Sequence, residues 1–151
     1  MKKIINFIKL NIYKIIILSI LLFLYVFLCS YIYVNNVELG LKQNVFRLHV
    51  IANSNNEEDQ NLKYKVRDSI INYMNELCIN SKSKEETIQI VANNIDEFKK
   101  IANKTILENG FNYSADIEVG NFEFPTKKYG DISLPSGYYD ALEIKLGKAS
   151  R

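Results

Sequence analysis

The sequence predicts an α/β (α+β) domain behind a membrane leader. Its core is a small mixed or antiparallel sheet of about three to four strands with two long helices on one face, preceded by one N-terminal transmembrane helix. Three observations predict this. A charge-free apolar run of twenty residues, Ile15 to Val34, lies near the start. Two long stretches with helical apolar spacing occupy the middle. Stretches of strict apolar/polar alternation stand before and after them.

The leader comes first. As a helix its uncharged run spans roughly 30 Å, the hydrocarbon thickness of a bilayer. The run is apolar on every face, unlike the one-sided stripe of a core helix. All the charges before it are lysines, Lys2, Lys3, Lys9 and Lys14, so the lysine end stays in the cytoplasm and the remainder crosses. A cleaved secretory signal has a shorter apolar region and a small-x-small cleavage site. The length of this run, and bulky Leu28 before Cys29, favour an uncleaved anchor over a cleaved or lipid-anchored leader. The expected organisation is a membrane anchor or signal segment at 1–34, a polar linker at 35–44, and an extracytoplasmic α/β domain at 45–151.

Charge sharpens that division. The whole chain carries +2, but all 17 acidic residues lie beyond the leader, so the exported part is net acidic. The basic character therefore belongs to the leader and does not mark a nucleic-acid surface. Beyond the leader there is one cysteine, Cys78, and one histidine, His49. An internal disulfide and a Cys/His metal site are thereby excluded from that part.

The elements follow in order. Val45-Phe-Arg-Leu-His-Val-Ile-Ala52 reads as a strand, with Phe46, Leu48, Val50 and Ala52 on one side and Val45, Arg47, His49 and Ile51 on the other. Ser54-x-x-Glu57 reads as a capping box opening a helix that runs to about Cys78. Leu62, Val66, Ile70, Tyr73 and Leu77 form its apolar stripe. Ser83-x-x-Glu86 is a second capping box, and Ile88, Val91, Ile95, Phe98, Ala102 and Ile106 trace one further helix up to a stop at Gly110. Tyr113 to Val119 alternates as a half-buried strand. Gly120 to Gly137 reads as an ordered loop with room for a short strand at its start. Tyr138 to Leu146 is a closing strand, with Tyr138, Leu142, Ile144 and Leu146 opposed to Tyr139, Ala141, Glu143 and Lys145. The sheet face away from the helices would then carry Arg47, His49, Asp116, Glu118, Glu143 and Lys145, charges of both signs that can pair across strands.

Chemistry is sparse. No Gly-x-Ser-x-Gly elbow, no phosphate-cradling glycine loop and no metal-ligand spacing occurs. The acidic run Glu57-Glu58-Asp59 suits a helix N-terminus. No cofactor, nucleic acid or small-molecule substrate is implied. The residues alone describe an exported binding or structural domain that is not an enzyme. A weak hydrolase using His49 with a nearby carboxylate, and a membrane-tethered scaffold, are the competing readings.

Two blocks carry a resemblance. The first is Arg47-Leu-His-Val-Ile-Ala-Asn-Ser54 with Asp59-Gln60, Leu62-Lys63 and Lys65-Val-Arg-Asp68. The second is Phe124-Pro-Thr-Lys127, Tyr129-Gly130, Leu134-Pro135, Gly137-Tyr138 and Ala141-Leu142. Their order and spacing over residues 45–147 resemble the stage II sporulation protein R family. The resemblance implies an intercellular signal, made in the forespore and exported into the space between forespore and mother-cell membranes. There it activates a membrane-embedded aspartic protease of the mother cell, stage II sporulation protein GA, which processes pro-sigma-E. Members usually continue into a tail bearing tryptophans, cysteines and a Phe-Pro-Pro motif. This sequence stops at Lys148-Ala-Ser-Arg151 and has no tryptophan, which implies a shortened copy or an incomplete product.

Two surfaces are the expected partner-binding sites. One is the strand–helix region: Arg47, His49, Asn53, Ser54, Asp59, Gln60, Lys63, Arg67 and Asp68. The other is the late loop: Phe124, Pro125, Thr126, Tyr129, Gly130, Pro135 and Gly137.

Overall fold

A computed structural model describes the backbone of residues 2–149 and the side chains of 11–37, 40 and 42–149. The chain divides into two units, residues 1–40 and 41–151.

The first unit is helical. Helix α1 (Lys2–Asn44) contains the segment Asn11–Asn44, long and apolar enough to cross a membrane. Its apolar side chains from Ile15 to Val34 are exposed all round. The polar stretch at 35–44, expected as a linker, continues the helix to Asn44. It contains no proline, and Leu, Lys and Gln are good helix formers, which offset the lone Gly40.

The second unit holds the expected α+β architecture. Strand β1 (Arg47–Ile51) is followed by α2 (Glu57–Leu77), α3 (Lys84–Asn93), α4 (Ile95–Glu108) and β2 (Ala115–Phe124). Then come a hairpin of β3 (Lys127–Tyr129) and β4 (Ile132–Leu134), and finally β5 (Gly137–Leu146). The main sheet has the order β1-β5-β2. β5 is central, parallel to β1 and antiparallel to β2, so the sheet is mixed.

The predicted stripes build the core. Leu62, Val66 and Ile70 of α2, Val91 of α3, and Phe98, Ala102 and Ile106 of α4 are all at most 1% exposed. They pack on Ala115, Leu142, Ile144 and Leu146 of the sheet. Gly110 ends α4 as expected. It takes φ +83°, while Phe111 N–H donates to Ile106 O and Gly110 N–H to Leu107 O, the paired bonds of a Schellman cap.

Four expectations need correction. The helix between Ser83 and Gly110 is two helices. Asn94 interrupts it, turning its side-chain amide back to Ile90 O at 2.8 Å, the local competition that makes Asn a poor helix-interior residue. The capping residue of α2 is Asn56 and not Ser54: Asn56 Oδ1 accepts from Asp59 N–H at 2.8 Å. Strand β2 does not end at Gly120 but runs on to Phe124 beside β5. The Phe122 ring lies over Gly120, 3.0 Å from where a Cβ would stand, so the glycine makes room for an aromatic inside the strand. Last, Tyr139 and not Tyr138 is buried. With Phe124 and Ala141 it forms a second small core on the outer face of the sheet.

Candidate functional site

The two ends of β1 carry most of the residues expected to matter, and they are built differently. Beyond its C-terminal end, Asn53 and Ser54 lead into α2, whose first turn brings Asp59 back toward the sheet. Asp59 is 2% exposed. Its carboxylate accepts from Ser54 Oγ at 2.6 Å, Tyr113 Oη at 2.6 Å and Asn53 Nδ2 at 3.0 Å. The Ser54 hydroxyl, then the Tyr113 hydroxyl, hold its carboxyl below the usual aspartate range. Burial, reinforced by Asp59, pushes the Tyr113 phenol up. Asn53 Oδ1 accepts from Lys148 N–H at 2.9 Å, so the junction also holds the chain after β5. Gln60 Nε2 donates to Ser54 O at 2.8 Å. These contacts give Asn53, Ser54, Asp59 and Gln60 of the first block an architectural role: one cluster around a carboxylate pins β1, α2, the approach to β2 and the exit from β5.

The outer face of the sheet carries the expected charges. His49 pairs in register with Glu143, and its Nδ1 lies 3.2 Å from Glu143 Oε2. Lys145 Nζ lies 2.7 Å from Glu143 Oε1. Glu143 is 2% exposed, and its carboxylate is met by the Lys145 ammonium on its own strand and the His49 imidazole on the next. The carboxylate beside Lys145 raises the ammonium's pKa.

Toward the start of β1 lies Arg47, 7% exposed. Its guanidinium stacks 3.9 Å from the Phe124 ring centre and 4.8 Å from that of Tyr139. Nη2 reaches the Tyr129 hydroxyl at 3.5 Å, a long contact. Among the described residues Nε and Nη1 find no hydrogen-bond acceptor. Buried guanidinium N–H groups normally have partners, so this is an anomaly to be explained.

A groove of about 520 Å³ runs along this edge of β1. α2 supplies one wall through Lys63, Tyr64, Arg67 and Ile71; the β3–β4 hairpin and its approach supply the other through Phe124, Pro125, Lys127, Tyr129 and Leu134. Lys63 and Arg67 lie over the Tyr64 ring, 4.6 Å and 5.0 Å from its centre. The lining holds four permanent cations and, among the described residues, no carboxylate, serine, threonine or cysteine.

The two expected surfaces therefore meet in part. Arg47, His49, Lys63, Arg67, Phe124, Pro125 and Tyr129 converge on the groove. Asn53, Ser54 and Asp59 are committed to the buried junction. Gln60 stands beside a smaller hollow of about 250 Å³ adjoining His49 and Lys63. Asp68 is exposed and takes Arg67 as its neighbour at 2.7 Å. The remaining four shape the hairpin: Thr126 Oγ1 accepts from Ser136 N–H at 3.1 Å, Pro135 O accepts from Tyr139 Oη at 2.6 Å, and Gly130 and Gly137 take φ +58° and +142°.

The sequence reading missed Tyr64, Ile71, Lys127 and Leu134 as groove residues. A signal existed for two of them. Tyr64 and Ile71 stand seven apart on the otherwise polar side of α2, one helical face with Arg67. Among the described residues no group of three His, Cys, Asp or Glu side chains is placed to hold a metal ion.

Comparison with known proteins gives a consistent result. The family model for stage II sporulation protein R matches residues 42–151. A curated relative, stage II sporulation protein R of Bacillus subtilis (strain 168), is 32% identical over 112 residues, which cover 74% of this chain and 50% of the relative. The chain thus spans about half the length of the curated relative it matches. No solved structure matches it.

Proposed function

This chain belongs to the stage II sporulation protein R family, and on that premise we propose that it is an exported intercellular signal of endospore formation. In this reading the leader anchors or delivers residues 41–151 to the space between the forespore and mother-cell membranes. There the domain binds and switches on a membrane aspartic protease of the mother cell, stage II sporulation protein GA, which processes pro-sigma-E. The protein is a ligand and performs no chemistry itself.

The observation that carries the reading is the lining of the β1 groove. It offers cations and aromatic faces, the residue types that dominate binding hot spots, and, among the described residues, no serine, threonine, cysteine or carboxylate. His49 has a carboxylate partner, Glu143, which gives the hydrolase alternative its one supporting feature. That carboxylate is also tied to Lys145, and the nearest ring to the imidazole is Phe124, 5.2 Å between centres.

The test is co-expression with the protease and its pro-sigma substrate, following cleavage by immunoblot. Processing that depends on this chain supports the reading. No processing by this chain, alongside processing by a version carrying the longer family C-terminus, sinks the claim for this copy. Replacing His49 with Ala separates the two classes: a hydrolase loses turnover by roughly 100-fold or more, whereas a ligand loses only part of its affinity.

A further inference from the structure

We propose that the open edge of β1 is a strand-addition site for an extended polypeptide segment carrying a carboxylate, seated beside Arg47. The proposal rests on the signalling reading for who the partner is and adds what that partner presents.

Three observations carry it. First, β1 pairs with β5 on one side only, and among the described residues no strand pairs with its other side. Such an edge offers main-chain donors and acceptors to a visiting strand, and natural edges that are not blunted invite one. Here β1 has no proline and no bulge, and the groove lies along it between two walls. Second, the charge is one-sided. Arg47, Lys63, Arg67 and Lys127 line the groove with no carboxylate in the lining among the described residues, although residues beyond the leader are net acidic. Arg67 has Asp68 beside it, and Lys63 donates to the neutral Gln60 amide, so the cationic excess persists. Third, Arg47 is buried with two nitrogens that find no acceptor among the described residues. The Tyr129 hydroxyl that meets Nη2 belongs to a side chain 52% exposed and held by the long contact described above. When the phenol swings aside, an incoming carboxylate supplies the acceptors that the guanidinium lacks, in the forked geometry Arg favours. The five residues of β1 give a matched segment of roughly 17 Å.

The test uses the full chain in detergent micelles and two synthetic probes: a nine-residue peptide alternating Val or Thr with Glu, and its Gln counterpart. Fluorescence anisotropy should show the Glu peptide binding at least ten-fold more tightly than the Gln peptide. Hydrogen exchange should slow at the amides of residues 46–51. Lys63→Glu with Lys127→Glu, both at the groove wall, should abolish the preference while circular dichroism stays unchanged. Equal affinities, no binding by either peptide, or protection confined elsewhere overturns the proposal. None of these outcomes depends on sigma-factor processing, so failure of the signalling reading is scored separately.

Discussion

At one end of β1 a buried carboxylate has three side-chain donors around it; at the other a buried guanidinium has two nitrogens with no acceptor among the described residues. Asp59 and Arg47 are equally removed from water, 2% and 7% exposed, yet one is satisfied and the other is not. The difference teaches how to divide a patterned sequence between stability and recognition. A polar group that is buried and fully paired fixes the fold. One that is buried and left short of partners costs stability, so its retention calls for a role beyond the fold's own packing, and completion by an outside partner is such a role. Both ends fall within the same sequence block, so residue pattern alone does not distinguish them.

The comparison predicts its largest effect at Asp59. Asp59→Ala strands the hydroxyls of Ser54 and Tyr113 and the amide of Asn53. The three donors are half-buried, so each orphan falls at the low end of about 1–3 kcal/mol and the domain should lose roughly 3–5 kcal/mol. Melting followed by circular dichroism should fall by roughly 10–20 °C. A drop of less than about 4 °C would show the junction to be peripheral. The same carboxyl gives a pH signature. Its folded-state pKa is depressed, so its contribution is complete above the unfolded value of about 4 and is lost as pH falls through the folded value. Asp59→Asn should therefore flatten the acid limb of the stability curve while leaving its shape above about pH 5 unchanged.

Next in size is Gly147→Ala. Gly147 holds φ +60°, and an added Cβ would collide with Asn53 Oδ1, the acceptor for Lys148 N–H. Strain and loss of that acceptor should cost about 2 kcal/mol, read as a shift in the urea midpoint at constant slope. Smaller still is Asn56→Ala, which removes the α2 cap at about 1 kcal/mol. If Ser54 rather than Asn56 capped the helix, Asn56→Ala would be neutral. Ser54→Ala is instead expected to weaken the Asp59 cluster.

These corrections show where the sequence was legible. The core stripes of α2 and α4, the inward Leu142, Ile144 and Leu146 of β5 and the charged outer face were readable because each repeats at the period of its own element. The break at Asn94 was hidden because the stripe Ile88, Val91, Ile95, Phe98, Ala102, Ile106 keeps its spacing straight across it. The full length of β2 was hidden because Gly120 looks like an ending until Phe122 is seen folded over it. The groove was half legible. Its basic and aromatic members lie in both blocks, but the structure was needed to bring residues 47 and 124 within stacking distance. Ser54 and Asp59 read equally as helix-start residues and as partner-surface residues, because a capping box and a partner surface call for the same residue types.

The smallest expected effect on stability falls at the other end of the comparison. Arg47→Met removes two stacking contacts, each worth about 0.5–2 kcal/mol. It also removes two unpaired buried N–H groups, whose burial costs about 1–3 kcal/mol apiece. Met follows the Arg stem with a flexible apolar chain, so it fills the space between Phe124 and Tyr139. The terms oppose one another, and the net change should lie within about 1 kcal/mol of zero, with stabilisation the favoured sign. Protease activation and binding of the Glu probe should nevertheless be lost. Arg47→Lys retains the charge but not the fork, and should recover little of either. A destabilisation of Arg47→Met beyond about 2 kcal/mol would place Arg47 with Asp59 as a structural residue, and the distinction between the two ends of β1 would fall.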